Sequence, residues 1–245
     1  MKKDHEIVFE DDHIVVVNKS AGLLTIPDRY QHDKRNLSSL MIERYGEIFV
    51  VHRIDRETSG LIMFAKNGEA HKELSEAFIE RKIQKTYLAI VQGTPTPLED
   101  RIETFLVKSE TERSKIIVFK KGKWSITDYK VLESYDRKYS LVEVIILTGR
   151  THQIRVHMKH IGNPLLVDSK YNNKEEFKLS EIKKRKFRLG KDQEERPLIT
   201  RHTLHSAKLE FDHPITGEHM DFDIPLPKDM KAVVNQMRKV VGIVG

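Results

Sequence analysis

VHRIDRETSGLIMFAK, residues 51–66, joins a charged loop to an apolar run. Leu61 to Ala65 form an uninterrupted apolar run, which predicts a strand buried in the core. The Thr58-Ser59-Gly60 segment before that run has the composition of a turn. Asp55 therefore lies on a loop just before a core strand, where a rigid scaffold commonly displays reactive groups.

Two arginines, Arg53 and Arg56, flank Asp55 in this loop. Cations beside an acid lower its pKa and keep it ionised, so Asp55 is a candidate catalytic carboxylate. An ion-paired aspartate on the surface is the alternative interpretation, because most such residues are simply solvated. The loop alone leaves both interpretations open, and the choice depends on the rest of the chain.

The composition predicts a soluble, cytoplasmic globular protein. The chain has 245 residues, enough for one large domain or two small ones, and 38% of them are hydrophobic. No apolar run approaches the roughly 20 residues that span a bilayer, and no apolar signal segment follows the first lysines. The absence of cysteine excludes disulfides and thiolate metal sites.

The charge balance mildly favours a nucleic-acid partner. Lys and Arg number 43 against 37 Asp and Glu, a net charge of +6. Because lysine and arginine neutralise phosphates, a basic surplus favours RNA or DNA over an acidic partner. Residues 172–201 are dominated by charge and include Lys183-Lys184-Arg185-Lys186. We expect a solvated insertion there, with RNA contact as the alternative.

Strands and short helices are predicted along the rest of the chain. Apolar periodicity predicts helices over 37–45, 68–81 and 151–161, the first ended by Gly46 and the second capped by Asn67. Strands are predicted over 7–9, 13–18, 61–65, 85–91, 116–119, 124–132, 140–147, 204–211 and 220–224. This mixture indicates an α+β fold: a single catalytic domain over residues 1–245, with a large mixed, mostly antiparallel β-sheet flanked by helices and loops.

The predicted helix over 151–161 carries an arginine that the fold does not need. Ile154, Met158 and Ile161 form its buried stripe. Arg155 lies at the edge of that stripe, because successive helical residues turn by about 100°. Such an arginine either extends to water or meets an acid. A buried acid would make Arg155 a charge partner with two parallel hydrogen bonds available.

Tyr87 and two histidines have less specific patterns. Tyr87 lies in a predicted strand among small apolar residues, which is typical of the core but also suits a platform for a stacked base. His152 and His157 are five residues apart and lie on different faces of a helix, which argues against a metal site. We expect His152 to form a hydrogen bond at the start of its helix.

The segment His52–Gly60, HRIDRETSG, resembles the signature HR(L/I)DxxTSG of RluA-type pseudouridine synthases. Four further segments are similar to motifs of that family and follow in family order: DDHIVVVNKSAGLLTIP at 11–27, KTYLAIVQG at 85–93, LTGRTHQIRVHMKHIGNPLLVDSKY at 147–171 and LHSAKLEFDHPITGE at 204–218. Ser20 departs from the usual proline, and Val167 from the usual glycine. We expect no S4-type RNA-binding extension before residue 5.

The resemblance implies the pseudouridine synthase fold and a reaction that isomerises specific uridines in ribosomal or transfer RNA, without cofactor or metal. The uridine would be detached from C1′ of its ribose, rotated and rejoined through C5. Asp55 is implied as the essential acid. Attack on C1′, attack on C6 of the base and removal of the ribose 2′ proton all stay open as its role. We expect the enzyme to be a monomer.

The resemblance also implies roles for other side chains. Arg155 would be the salt-bridge partner that keeps Asp55 anionic, and Tyr87 would stack on the uracil ring. Arg53 would fill the gap in the RNA when the uridine is flipped out, since a guanidinium plane stacks well on bases. Possible additional site contacts are His52, Arg150 and His152.

Two other classes of function compete with this one. A non-catalytic RNA-binding or ribosome-assembly protein on the same fold fits the basic charge, but Asp55 and Tyr87 are both present. A kinase-like phosphotransferase is suggested by the His, Arg and Asp of the loop. Ile54 spoils the spacing of a kinase catalytic loop, and no Gly-rich phosphate loop or Asp-Phe-Gly occurs. The sequence therefore favours the RNA-modifying isomerase.

Overall fold

Strands outnumber helices in the structure, a computed structural model that describes residues 4–28, 31, 33–112, 114–183, 187–188 and 194–243. The strands are β1 (His5–Glu10), β2 (Ile14–Lys19), β3 (Phe49–Val50), β4 (Ser59–Ala65), β5 (Gln84–Gln92), β6 (Glu99–Lys108), β7 (Ile116–Phe119), β8 (Lys123–Tyr135), β9 (Tyr139–Ile146), β10 (Leu204–Asp212) and β11 (His219–Asp223). The helices are α1 (Leu37–Tyr45), α2 (Gly68–Ile79), α3 (Gln153–His160), α4 (Leu179–Lys183) and α5 (Lys228–Val240). The fold class is α+β with a large mixed, mostly antiparallel sheet, as the sequence predicts.

The first of two compact units comprises Met1–Thr86 and His205–Pro225. Its strands follow the order β1-β2-β4-β10, with β3 paired to β4 and β11 paired to β10. The pairing of β4 with β10 is parallel, and the other pairings among these six strands are antiparallel. The parallel contact lies at the start of β4, directly after the loop that carries Asp55.

Strand β4, the apolar run of the opening stretch, is buried along its whole length. Leu61 and Met63 belong to a core cluster with residues of α2. Ile62 and Phe64 belong to a second cluster with residues of α1. Because helices cover both faces, the strand is apolar at every position from Leu61 to Ala65 instead of alternating with polar residues. This double burial fixes the strand that the Asp55 loop enters.

The second unit comprises Tyr87–Leu204 and Leu226–Gly245, and its strands follow the order β5-β9-β8-β6-β7. Strand β5 begins in the first unit and continues into this one. The main core of the second unit includes Ile90 of β5, Leu141 of β9 and four residues of α5. A smaller cluster joins Leu106 of β6 to Val156 of α3. No helix in the described part of the chain is long and apolar enough to cross a membrane.

Most predicted elements are confirmed, and the differences concern the ends of strands and helices. Ser59 and Gly60, which are predicted as part of a turn, belong to β4, and β8 continues to Tyr135 instead of residue 132. Helix α1 has the predicted bounds, and Asn67 caps α2 by accepting a hydrogen bond from the Ala70 amide. Helix α2 ends at Ile79 instead of residue 81, because Arg81 is left-handed with φ 61°. Helix α3 begins at Gln153 instead of residue 151, because His152 is left-handed with φ 55°.

Four elements are not predicted from the sequence: β3, β6, α4 and α5. Strand β6 contains four exposed charged residues in its first five positions, which mask the alternation of its buried residues. Helix α5 carries Met230, Val233, Val234 and Met237 at helical spacing, so its signal was present in the sequence. In the charged segment 172–201, α4 is described, but residues 184–186 and 189–193 lie outside the described residues. The solvated insertion stays a prediction.

Candidate active site

Asp55 lies in a tight turn between the core residue Ile54 and the start of β4. Its side chain is half-buried, whereas Ile54 is 5% exposed. The Asp55 carbonyl accepts a hydrogen bond from the Thr58 amide at 3.1 Å, which closes the turn. Ile54 anchors the turn to the core, and the Asp55 side chain stays partly exposed. The sequence predicts this position, on a loop just before a core strand.

The peptide groups on both sides of Asp55 are anchored. The buried Thr25 hydroxyl donates to the Ile54 carbonyl at 2.8 Å. The Arg56 carbonyl accepts from the Gly22 amide at 2.9 Å and from the Lys19 ammonium at 3.0 Å. Hydrogen bonds on either side therefore restrict the backbone of Asp55.

Lys19 is a buried lysine that organises this region. Its side chain is 0% exposed, and its ammonium donates to three backbone carbonyls: Ser20 at 3.0 Å, Leu23 at 2.8 Å and Arg56 at 3.0 Å. The three acceptors belong to the loop after β2 and to the Asp55 turn. The Lys19 ammonium therefore links the loop after β2 to the Asp55 turn, a role that the sequence does not predict.

The Ser59-Gly60 pair explains why the turn enters β4 as it does. Ser59 lies opposite His205 and Gly60 opposite Ser206 in the parallel contact with β10. Gly60 has φ +112°, and a Cβ atom there would lie 2.1 Å from the Ser206 carbonyl oxygen. The Ser59 hydroxyl lies 2.9 Å from Nδ1 of His205, and both residues are buried. Only glycine fits at this close approach of two backbones.

His52 and Lys85 both contact the ring of Phe78, and the Lys85 ammonium lies 4.9 Å from the centre of that ring. The His52 Nε2 atom accepts a hydrogen bond from the Met63 amide at 3.0 Å, and its ring lies 4.9 Å from the Phe78 ring. Burial, and then the charge of Lys85, lowers the pKa of His52 to about 3. Burial also lowers the pKa of Lys85 to about 8. The described contacts of His52 are those of a neutral histidine that supports β4.

Arg53 is exposed beside a cavity of about 460 Å³. The cavity is lined by residues of two loops: Leu24, Thr25, Ile26, Pro27, Asp28, Arg53, Ile54 and Arg56. Arg56 is also exposed, and its Nε atom donates to the Gly22 carbonyl at 3.0 Å. Two guanidinium groups therefore border a cavity next to Asp55, an arrangement that suits phosphate groups or bases of RNA.

The second unit contains a buried ion pair between Arg155 and Asp168 that the sequence does not predict. Arg155 donates from Nε to Oδ2 of Asp168 at 2.7 Å and from Nη2 to Oδ1 at 2.9 Å. Asp168 Oδ1 also accepts from the amides of Lys170 and Tyr171 at 2.9 and 3.0 Å. Of the two alternatives for Arg155, water or a buried acid, the structure shows a buried acid, Asp168, whereas the pairing of Arg155 with Asp55 stays a prediction.

Tyr171 joins Arg155 to His152. The Arg155 guanidinium lies 4.9 Å from the centre of the Tyr171 ring, and the Tyr171 hydroxyl lies 2.8 Å from Nδ1 of His152. The same hydroxyl accepts from the Ile116 amide at 3.0 Å. His152 therefore forms a hydrogen bond at the start of α3, as predicted. These contacts lock the ring that faces the guanidinium.

Gln153 and Thr148 hold the start of α3 on strand β8. The Gln153 carbonyl oxygen accepts from the Thr148 hydroxyl at 2.8 Å and from the Arg150 amide at 3.0 Å. Its amide group donates to the Ile126 carbonyl and the Thr127 hydroxyl, both at 2.9 Å. The exposed Arg150 side chain extends away from this buried network. The loop before α3 is therefore rigid, and it presents Arg150 to solvent.

The predicted site residues divide between the two units. Asp55, Arg53 and His52 belong to the first unit; Tyr87, which is 6% exposed, belongs to the second with Arg150, His152 and Arg155. Three further residues support these side chains but are not candidates from the sequence: Lys19 and Thr25 at the Asp55 turn, and Asp168 at Arg155. Asp168 follows the apolar run Leu165–Val167, and an acid in such a position was a usable signal. Across the described residues, no group of three or more His, Cys, Asp or Glu side chains is arranged to hold a metal ion.

Comparison with known proteins defines the class of this protein. A sequence profile of a family described as RNA pseudouridylate synthase matches residues 13–160. The chain therefore belongs to the RNA pseudouridylate synthase family, and the resemblance to the RluA type is confirmed. The protein is an RNA pseudouridine synthase, an isomerase that acts on RNA.

Two relatives and two solved structures illustrate the similarity. Ribosomal large subunit pseudouridine synthase D of Zymomonas mobilis is 35% identical over 95% of this chain and 72% of its own length. The protein of the same name from Pseudomonas aeruginosa is 36% identical over 96% of this chain and 72% of its own length.

Human RNA Pseudouridylate Synthase Domain Containing 1 superposes with a TM-score of 0.69 at 25% identity, over 96% of this chain and 94% of that one. Human RNA Pseudouridylate Synthase Domain Containing 4 has a TM-score of 0.72 at 24% identity, over 95% of this chain and 92% of that one. The predicted pseudouridine synthase fold is confirmed.

Proposed function

We propose that this enzyme isomerises specific uridines of the large-subunit ribosomal RNA to pseudouridine, with Asp55 as the catalytic carboxylate. The relatives named above carry ribosomal large subunit in their names, which favours ribosomal over transfer RNA. The observation that carries the assignment of Asp55 is the anchoring of both neighbouring peptide groups, by Thr25 on one side and by Lys19 and Gly22 on the other.

The proposed reaction is a redox-neutral rearrangement within one nucleotide. The bond between N1 of uracil and C1′ of ribose breaks, and a bond between C5 and C1′ forms. The hydrogen on C5 leaves as a proton, and N1 gains a proton. The Asp55 carboxylate would act on C1′, on C6 or on the ribose 2′ proton, and in each case it must be ionised and held beside the nucleotide.

Three further side chains have proposed roles around Asp55. Arg155 would supply the counter-charge of Asp55, and its guanidinium is already oriented by Asp168 and Tyr171. Tyr87 would stack on the uracil ring. Arg53, which is exposed beside the cavity in the first unit, would occupy the space that the flipped uridine leaves in the RNA.

The enzyme can be tested on RNA labelled with tritium at C5 of uridine, because the rearrangement releases that hydrogen to water. We expect release from large-subunit ribosomal RNA transcripts and none from the Asp55→Ala protein. In parallel, pseudouridine would be mapped across total RNA from a strain that lacks the gene. Loss of a site in ribosomal RNA, restored by the wild-type gene only, supports the proposal. A loss confined to transfer RNA would contradict the ribosomal assignment.

A further inference from the structure

Three aromatic side chains form a line across the solvent-facing side of the second unit. Phe105 of β6 lies opposite Phe119 of β7 and opposite Trp124 of β8. Directly opposed residues of neighbouring strands point to the same face of a sheet. The Phe105 and Trp124 rings are 4.8 Å apart between centroids, tilted by 59°. We call Phe105, Phe119 and Trp124 the aromatic strip.

The aromatic strip is exposed where aromatic residues are normally buried. Phe105, Phe119 and Trp124 are 36%, 58% and 37% exposed. The next residue of β6, Leu106, points to the opposite face and is 3% exposed in the small core cluster with α3. The strand therefore buries its aliphatic side and presents its aromatic side to solvent. A contiguous exposed apolar patch of this kind marks a binding surface.

A turn rich in lysine borders the aromatic strip. Lys120 and Lys121 lie in the connection from β7 to β8, Lys123 is the first residue of β8, and all three are exposed. None of them forms an ion pair with another residue in the described ranges. We call these three residues the lysine turn.

Gly122, which lies between Lys121 and Lys123, holds the connection from β7 to β8 against β6. An added Cβ at Gly122 would lie 2.4 Å from Val107 Cγ1 and 2.6 Å from the Leu106 carbonyl oxygen. Gly122 also has φ +150°, a backbone conformation that other residues rarely adopt. The connection therefore crosses strand β6 in close contact, which keeps its lysines beside Phe105.

Other charges around the aromatic strip do not cancel the lysine turn. Arg101 forms two hydrogen bonds with Asp128 at 2.6 and 2.9 Å, and it lies 3.9 Å from Glu103. Arg150 is exposed, and its Nε atom donates to the Trp124 carbonyl at 3.3 Å. Arg101 balances only one of the two acids, Asp128 and Glu103, and it is the three lysines together with Arg150 that make the charge at the strip positive.

We propose that the aromatic strip and the lysine turn bind unpaired nucleotides of the RNA substrate, outside the reacting uridine. This inference rests on the proposed function in that RNA is the partner. Aromatic rings on adjacent strands lie about 4.8 Å apart, so the strip is about 10 Å long and accommodates two or three stacked bases. The lysine turn would neutralise their phosphates.

The same chemistry argues against a protein partner. Cores of protein interfaces are depleted in lysine, whereas three lysines without described ion pairs border this patch. Stacking on aromatic rings tolerates any base, because every base has a flat face. The surface would therefore hold single-stranded RNA next to the target with little sequence preference, and it would not hold a blunt duplex, whose bases are already stacked.

Trp124 provides a direct probe, since it is the only tryptophan of the chain. The test uses a 12-nucleotide oligoadenylate, which contains no uridine and so cannot be a substrate of the isomerase. We expect titration with this oligonucleotide to quench the fluorescence of Trp124, and an RNA duplex of the same length to leave it unchanged. Binding of oligoadenylate without any change of Trp124 emission would overturn the proposal.

Two variants with matched controls locate the binding. Phe119→Ala should weaken oligoadenylate binding at least fivefold, whereas Ile79→Ala, which removes a 79% exposed side chain from α2, should not change it. Lys120→Ala with Lys121→Ala should lower the slope of log affinity against log salt by about 1.4, on the scale of about 0.7 per phosphate contact. The pair Lys231→Ala with Lys239→Ala on α5 should leave that slope unchanged.

The outcomes separate this proposal from the proposed function. If Phe119→Ala and the double variant Lys120→Ala with Lys121→Ala both bind oligoadenylate with wild-type affinity, the proposed RNA-binding surface is wrong and the isomerase assignment is unaffected. Loss of binding in both, in a protein that releases no tritium from uridine-labelled RNA, would support the surface and contradict the proposed function. If sedimentation shows a dimer that Phe119→Ala converts to a monomer, the surface binds a second copy, and the RNA proposal is overturned.

Discussion

Asp168 holds the guanidinium of Arg155 through two parallel hydrogen bonds, 2.7 Å to Nε and 2.9 Å to Nη2. The two side chains are 0% and 8% exposed. Burial alone would raise the pKa of Asp168, but the hydrogen bond and charge of Arg155, together with the Tyr171 amide, lower it. Both groups therefore stay ionised inside the protein, and neither can be removed alone without cost.

Loss of Arg155 by itself should damage both stability and turnover. Arg155→Met leaves the buried Asp168 carboxylate without its counter-charge, which we expect to cost about 3–5 kcal/mol of unfolding free energy. Turnover should fall to near zero as well, because Arg155 is the proposed counter-ion of Asp55. Denaturant unfolding and tritium release measure the two effects separately.

The double variant Arg155→Met with Asp168→Asn distinguishes a structural role from a catalytic one. The asparagine oxygen can still accept from the Lys170 and Tyr171 amides, and no unpaired charge remains. Stability should therefore recover most of the loss while turnover stays near zero. Recovery of turnover along with stability would show that Arg155 acts only through the fold.

Asp55→Asn should abolish isomerisation and leave RNA affinity within about twofold of wild type, because the amide keeps the shape but not the charge. Glu57→Gln in the same turn is the matched control and should retain most of the activity. Measurable turnover of labelled uridine by the Asp55→Asn protein would remove Asp55 from its proposed role.

We expect Thr25 to position Asp55 through the Ile54 carbonyl and to take no part in the reaction itself. Thr25→Val leaves the buried Ile54 carbonyl without a donor, and the resulting shift of the turn should reduce kcat by about tenfold. Thr25→Ser keeps the hydroxyl and should restore kcat, with KM for RNA similar in all three proteins. Equal kcat values for the valine and serine variants would contradict the positioning role.

Gly60→Ala should destabilise the first unit, because the new methyl group would lie 2.1 Å from the Ser206 carbonyl oxygen at a φ of +112°. We expect a loss of about 2–4 kcal/mol, seen as a lower unfolding midpoint. Gly68→Ala is the control: nothing lies within 4 Å of a Cβ there, and alanine favours the first turn of α2. Similar midpoints for the two variants would contradict the close approach of β4 and β10.

His157 should make the fold sensitive to acid. The ring is 0% exposed between the Thr127 and Thr104 hydroxyls, at 2.8 and 3.0 Å, and burial lowers its pKa from 6.5 to about 4. In the unfolded chain His157 is protonated below about pH 6.5, whereas in the folded chain it stays neutral down to about pH 4. Stability should therefore fall across this window, by up to about 3 kcal/mol.

Denaturant titrations at several pH values between 7 and 4 test this dependence. The variant His157→Gln cannot take up a proton, so its stability should fall less steeply with acid than that of the wild type. Parallel curves for the two proteins would exclude His157 as the cause. His52, whose pKa burial lowers to about 3, contributes a loss of the same sign that this variant retains.

Local patterns predicted much of the fold because neighbouring residues decide them. The apolar spacing of residues 37–45 and the capping side chain of Asn67 act within one or two turns of helix, and both predictions are confirmed. The left-handed backbone of Arg81 and His152 shortened two helices, and no periodicity reveals such a conformation. Strand β6 was missed because its charged residues pair across strands, as Arg101 does with Asp128.

The candidate site likewise has features that the sequence predicts and contacts that it does not. The sequence is sufficient to predict that Asp55 precedes a buried strand, that Gly60 lies at the start of that strand, and that the chain is similar to RNA-modifying isomerases. The anchoring of the Asp55 turn by Lys19 and Thr25, and the pairing of Asp168 with Arg155, are visible only in the folded chain. Those contacts join residues 13 to 37 positions apart, and their partners are set by the packing of strands and helices that local sequence does not encode.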